Sequence, residues 1–184
     1  MTAEEYLSKV KVKYSNLKNY RDTGVAGSAS GEDHRVTFNT DFNRHSYYKV
    51  QYTIHSEKID ECLNHLIYSD FNTLKLEGDW EKFQKIIDTN TPNSLPDIIA
   101  CTTGISWGAT HSISALLMDN VGGFRITDIK EPEFVGDIDT VTTITGNHPW
   151  VENCQITVVF DDMLIQSIER PSEKYIIKFK PEIY

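Results

Sequence analysis

Gly104-Ile105-Ser106-Trp107-Gly108 is the stretch whose residue types and spacing point most directly to chemistry. Gly-x-Ser-x-Gly is the pattern of a nucleophile elbow. There a serine sits on a tight strand-to-helix turn and is served by an acid, then a histidine, later in the chain. Asp128, Asp137 or Asp139, and then His148, follow Ser106 in that order. The surrounding pattern argues against a serine hydrolase. Asp97 to Thr103 reads as helix rather than buried strand, and the chain lacks the alternating β and α periodicity of a parallel sheet. Ser106 is expected to cap a helix, and no catalytic residue is expected.

The other reactive side chains form no cluster. His34, His45, His55, His65, His111 and His148 are scattered, with no H-x-x-x-H pair and no histidine–carboxylate group on one element, so neither a metal nor a cofactor is implied. Cys62, Cys101 and Cys154 are odd in number and widely spaced. Free thiols are the default, with one bridge possible. Arg44 lies on an otherwise aromatic strand, facing either solvent or a neighbouring segment.

The elements that must position these residues read as follows. Thr2 and Glu5 form a capping box, and Tyr6, Leu7, Val10, Tyr14 and Leu17 then recur at helical spacing. A first strand is expected over about Gly24 to Ser30. Val36, Phe38, Thr40 and Phe42 alternate with polar neighbours, as do Tyr48, Val50, Tyr52 and Ile54, so both runs predict half-buried strands. Two short strands follow between His65 and Leu76, then a short helix over Asp79 to Ile87 and a loop from Thr89 to Pro96. Ser94 caps a helix that Gly104 stops. A second helix from Ser106 carries Ala109, Ile113, Leu116 and Leu117 on one face. The last third returns to strands from Phe124 and Ile126 onward, with turns at Gly146 to Pro149, Asp161-Asp162 and Pro171 to Glu173.

Residues 1–184 fit one domain, with a helical insert over 94–118. The class is α+β, mainly antiparallel β, because the short connections suit hairpins rather than crossovers. The net charge of -9 argues against a nucleic-acid partner. No apolar run reaches the length of a membrane-spanning helix, and the opening residues have no signal-peptide pattern, although a processed chain would look the same.

The order of elements resembles the LolA-like outer-membrane lipoprotein carriers over nearly the whole chain. Ala3-Glu4-Glu5-Tyr6-Leu7 through Tyr14, Leu17 and Tyr20 looks like that family's first helix, and Tyr20 to Gly24 like the entry to its first strand. Thr40-Asp41-Phe42-Asn43-Arg44 looks like its phenylalanine–x–arginine–proline motif, with His45 standing where the family has proline. Thr103 to Ala109 with Leu116-Leu117 looks like its helical segment. Val159-Phe160-Asp161-Asp162 and Ile168-Glu169-Arg170 look like its last hairpin.

The resemblance implies a strongly curved, incomplete β-barrel covered by helices, with an apolar cavity beneath a lid. It implies a carrier or binding module for a lipidated protein, acyl chain or other apolar ligand. It also implies an arginine, Arg44, that reaches the lid and holds it closed. The residues expected to line the cavity or form the lid are Phe38, Phe42, Arg44, Tyr48, Val50, Tyr52, Ile105, Trp107, Ile113, Leu116 and Leu117. The competing reading is a non-catalytic structural or interaction domain whose barrel is plugged by those same side chains. A monomer is expected, in the periplasm or cell envelope if a signal peptide has been removed and in the cytoplasm otherwise.

Overall fold

The computed structural model describes residues 2–28, 34–56, 61–83, 94–121, 130, 133–135, 141–148, 151–159, 162–170 and 174–182. Helix α1 (Ala3–Asn16) opens on the expected capping box. Glu5 Oε2 accepts from the Thr2 amide at 2.8 Å, and Thr2 Oγ1 accepts from the Glu5 amide at 3.2 Å. Both bonds satisfy donors that the helix itself leaves orphaned. Tyr6, Val10 and Tyr14 are fully buried along one face of α1.

Among the described residues, ten antiparallel strands form one open sheet: β1 (Asn19–Ser28), β2 (His34–Asn43), β3 (Tyr47–Ser56), β4 (Glu61–Ser69), β5 (Leu74–Gly78), β6 (Glu133–Val135), β7 (Val141–His148), β8 (Val151–Val159), β9 (Leu164–Arg170) and β10 (Tyr175–Glu182). The spatial order is β5-β4-β3-β2-β1-β10-β9-β8-β7-β6. Two meanders therefore meet at a seam between β1 and β10, where Ala26 faces Ile177 and Gly24 faces Phe179. Between β5 and β6 the chain forms α2 (Leu95–Thr102), a run of turns, and the single helical turn α3 (Ser114–Leu117). The class is α+β with a mainly antiparallel sheet, as the sequence predicts.

One face of the sheet carries the core. Val36, Phe38, Thr40 and Phe42 on β2 are buried, and so are Tyr48, Val50, Tyr52 and Ile54 on β3, as strand alternation requires. Their register builds a row across six strands: Gly78, His65, Tyr52, Phe38, Gly24 and Phe179. Phe38 meets Phe179 edge-on at 5.6 Å, passing over Gly24. A Cβ on Gly24 would lie 2.2 Å from the Phe38 ring and 2.4 Å from the Lys178 carbonyl oxygen. Gly24 is thus the gap through which two aromatic rings on non-adjacent strands touch.

Several boundaries differ from the sequence reading. β1 starts at Asn19, because Tyr20 and Asp22 are drawn into the core face. β4 starts at Glu61 and pairs along its full length with β3. The short helix after β5 is a 3₁₀ turn, Trp80–Phe83, and residues 84–93 lie outside the described set. Gly146 to His148 belong to β7, with a register shift between Gly146 and His148, and Pro149 of the expected turn lies outside the described residues. Phe124, Ile126, Asp161 and 171–173 lie outside the described residues.

The Gly24 gap gives a direct test. Gly24→Ala should destabilise the fold by about 2 kcal/mol or more, since the overlap involves a backbone oxygen as well as a ring. Urea unfolding of the two proteins measures it, and a loss within error would show that the seam can relax around a methyl group.

Candidate functional site

The sheet's core face is covered by α1 and by the insert. Two contacts with the sheet fix the path of the insert. At its end, Tyr48 of β3 and Ser114 of α3 share a hydrogen bond of 2.6 Å between hydroxyls. In its middle, Trp107 stacks on Tyr175 of β10 with ring centroids 5.5 Å apart, and Gly108 lies close above Ile177 and Tyr175. The insert therefore crosses the sheet between β3 and β10.

Its irregular backbone has a local cause. The Gly108 amide donates to the Thr103 carbonyl at 2.7 Å and the Trp107 amide to the Gly104 carbonyl at 3.2 Å. These two bonds make a Schellman-type ending, with Trp107 in the left-handed position at φ 54° and Gly108 following at φ 78°. Glycine usually occupies that place, and a tryptophan there stores roughly 1–3 kcal/mol of strain. The expected second helix from Ser106 is reduced to α3, and the hydroxyls of Thr102, Ser106 and Ser114 capture main-chain groups along this segment. Thr102, Ser106, Thr110 and Ser114 recur every four residues and are all buried. Thr110 Oγ1 lies 3.1 Å from Thr102 Oγ1 and 2.9 Å from Ser106 Oγ, while Thr102 donates to the Ile98 carbonyl and Ser114 to the Thr110 carbonyl.

Ser106 is accordingly not on a nucleophile elbow. The preceding element is α2, and the Ser106 hydroxyl is enclosed between Thr110 and the Thr103 carbonyl. It accepts from the Thr110 amide at 3.3 Å, but no helix begins at Ser106, so the helix-capping role expected of it is not what it does. Asp128, Asp137 and Asp139 lie outside the described residues.

Arg44 does not reach the insert. Its Nε donates to the Leu17 carbonyl at 2.8 Å and its Nη2 to the Tyr14 carbonyl at 3.0 Å. Both carbonyls belong to the C-terminal end of α1, where helix acceptors lose their i+4 amides and a cation suits the helix dipole; the Tyr14 carbonyl also accepts from the Leu17 amide at 3.2 Å. The guanidinium also sits 5.3 Å from the Phe42 ring centroid. Neither solvent exposure nor a lid latch describes it; Arg44 fixes α1 to the β2–β3 turn. His45 donates its backbone N–H to Asn43 Oδ1, a bond that proline could not make.

Ile113, Leu116 and Leu117 are buried, and Ile105 and Trp107 are partly buried against the same core. Phe38, Phe42, Tyr48, Val50 and Tyr52 expose 4% or less of their surface. A side chain lining an open, solvent-filled space would show more, so in this conformation these five are packed core. The Tyr52 hydroxyl is nonetheless buried with no hydrogen-bond partner among the described residues, which leaves a polar atom at roughly 1–3 kcal/mol of cost beneath the covering layer.

The residue that sequence reasoning missed is Asp22. It is almost fully buried on β1. Its Oδ1 accepts from the Thr40 amide at 3.0 Å and its Oδ2 from the Tyr20 hydroxyl at 2.9 Å. Tyr20 in turn packs on Tyr14, whose hydroxyl accepts from the Ile165 amide of β9 at 3.1 Å. Burial pushes the Asp22 carboxyl up to about 6, against the pull of its Thr40 and Tyr20 hydrogen bonds. Burial likewise raises the Tyr14, Tyr20 and Tyr48 hydroxyls well above the ordinary phenol range. A titratable carboxyl thus sits where α1 and the sheet meet. Asp22 falls on the same alternation as Tyr20 and Ala26, and that was the available signal.

No protein-family model and no curated protein matches the chain. Among solved structures it is similar to an uncharacterized conserved protein from Thermus thermophilus, at 9% identity and a TM-score of 0.44, over 99% of this chain and 88% of that one.

Two outcomes follow from these contacts. Arg44→Leu should lower stability by about 1–3 kcal/mol through the two lost charge-assisted bonds, measured by thermal unfolding. Asp22 bears on pH. The folded protein holds this proton up to about pH 6, while an unfolded chain releases it near pH 4. Its contribution to stability is therefore complete below about pH 4 and is lost as pH rises through about 6, amounting to roughly 2–3 kcal/mol. The stability difference between wild type and Asp22→Asn, followed by urea unfolding across that window, should move in wild type's disfavour as pH rises.

Proposed function

We propose that this chain is a binding or carrier module for an apolar ligand, an acyl chain or a lipidated protein, and that the insert over 94–118 is its lid, closed in the conformation described. On this reading the open sheet is an incomplete barrel of the LolA-like kind, whose core face takes the ligand when the lid lifts. Such a module works as a monomer in a cell envelope, and that is the compartment we propose.

The observation that carries the reading is how the insert is held. An apolar segment spans the core face from β3 to β10, packed into the core through Leu95, Ile98, Ile99, Ile113, Leu116 and Leu117, with the Tyr48–Ser114 hydroxyl pair near its end and a strained turn, Trp107–Gly108, resting on Tyr175 in its middle. A segment built only to fill a core has no need of a left-handed tryptophan. Strain of that kind brings the open state closer in energy, and ligand burial at roughly 0.8 kcal/mol per CH2 group can then favour it. Arg44 has no part in this reading, since it holds α1.

The second reading is a non-catalytic structural or interaction domain. It is favoured by the near-complete burial of Phe38, Phe42, Tyr48, Val50 and Tyr52, which is that of a filled core.

A fluorescent apolar probe separates the two. Tyr48→Phe removes the hydroxyl while Ser114 keeps its bond to the Thr110 carbonyl. A net loss of about 0.5–1.5 kcal/mol should populate the open lid roughly two- to tenfold more. The probe should therefore enter Tyr48→Phe faster than wild type by that factor, while thermal unfolding shows no more than the same small loss of about 0.5–1.5 kcal/mol. Absence of probe binding in both proteins would establish the plugged-domain reading instead.

A further inference from the structure

The face of the sheet opposite the insert carries a second constellation, assembled from three strands. Register places Arg35 of β2, His55 of β3 and Cys62 of β4 side by side. Cys62 is exposed and its Sγ lies 3.3 Å from His55 Nδ1. The other ring nitrogen, Nε2, lies 3.1 Å from Thr37 Oγ1. With its proton on Nε2, the imidazole donates to the Thr37 hydroxyl and turns the Nδ1 lone pair towards the thiol. Nucleophile, base and a third group that orients the base are thus within reach of one another, the arrangement that activates a weak nucleophile. Among the described residues, Arg35 stands opposite His55 on the same row, and the Asp79 carboxylate binds the Asn64 amide two residues along β4 from Cys62.

We propose that Cys62, with His55 as proton acceptor and Thr37 as positioning residue, is a site of thiol–disulfide exchange with low-molecular-weight disulfides. The site stands on the outer, solvated face, so small reagents reach it without movement of the insert, and it is independent of the lid reading. Exchange asks only for an accessible thiol, a base and room for an in-line sulfur, and it needs no oxyanion pocket of the kind acyl transfer requires. In the step, the Cys62 proton passes to His55 Nδ1 and the sulfur attacks one sulfur of the small disulfide. A new S–S bond forms as the old one breaks. The electron pair leaves with the departing thiolate, which takes the proton back from His55. Cys62 is oxidised to a mixed disulfide and one equivalent of small thiol is released. Arg35 offers a cation on the same row for an anionic reagent.

The test uses the whole chain and dithiobis(nitrobenzoate), with release of the coloured thiolate followed over about pH 5–9 and the labelled cysteine located by peptide mass. Cys101, which is partly buried, serves as the internal reference. Wild type should show a fast phase at Cys62 that Cys62→Ser abolishes. His55→Ala should slow that phase about tenfold at neutral pH and leave a rate that rises only with alkali. Thr37→Val should slow it about threefold and shift the pH profile, a change that lost packing alone would not produce. Fast labelling that persists in Cys62→Ser overturns the proposal, as does a His55→Ala rate and pH profile equal to wild type. Should His55→Ala fail to fold, Thr37→Val decides by the same comparison. Incubation with glutathione disulfide should then give one mixed disulfide at Cys62, and modification at Cys101 in preference to Cys62 would also overturn it.

Discussion

A sheet of ten strands is about 45 Å wide at the usual strand spacing, and a helix of fourteen residues is only about 21 Å long. Helix α1 cannot cover such a face alone. The remaining apolar surface must be closed by a segment inserted in mid-chain, and the rest of the structure answers that requirement. The insert reaches from β3 to β10, a distance of three strand spacings or about 14 Å. A single straight helix would bring its own rigid geometry to that crossing. The turn at Trp107–Gly108 instead lets the segment follow the sheet, touching Tyr175 on one side and Tyr48 on the other.

Covering a face this way places polar groups under a lid of apolar ones. The hydroxyls of Thr102, Ser106, Thr110 and Ser114 satisfy one another and nearby carbonyls, so the break in helical hydrogen bonding is compensated within the insert. Asp22 is the harder case. Its carboxyl is held by donors from Thr40 and Tyr20, yet burial still dominates and favours the neutral form. The α1 side of the core therefore contains a network, Asp22–Tyr20–Tyr14–Ile165, that ties β1 to β9 through the helix.

What could be read from the sequence was whatever is local. The capping box at Thr2 and Glu5, the alternation of Val36 to Phe42 and of Tyr48 to Ile54, and the cap at Ser94 each depend on residues a few positions apart, and each stands where expected. The misread features depend on distant partners or on a broken habit. Arg44 seeks carbonyls nearly thirty residues earlier, so its strand gives no hint of them. Asp22 bears a charge that ordinarily marks the surface. Trp107 occupies a left-handed position that pattern reading reserves for glycine, so the stop at Gly104 stands where expected while the helix read from Ser106 onward is instead a turn. The His55–Cys62 pair was legible in principle, because the two residues stand at equal distance from the centre of the β3–β4 hairpin.

The seam between β1 and β10 also governs how the chain reaches this state. Each meander is made of neighbours in sequence, so β1 to β5 and β6 to β10 can zip through short hairpins. Their union cannot. Pairing Ala26 with Ile177 closes a loop of about 150 residues, and none of its entropic cost is repaid until the two strands meet. During synthesis β1 must wait with an unpaired edge while the whole insert and the second meander emerge. The central strand of the finished sheet is therefore the exposed one of the nascent chain, and assembly is a late, cooperative docking of two half-sheets rather than growth from one end.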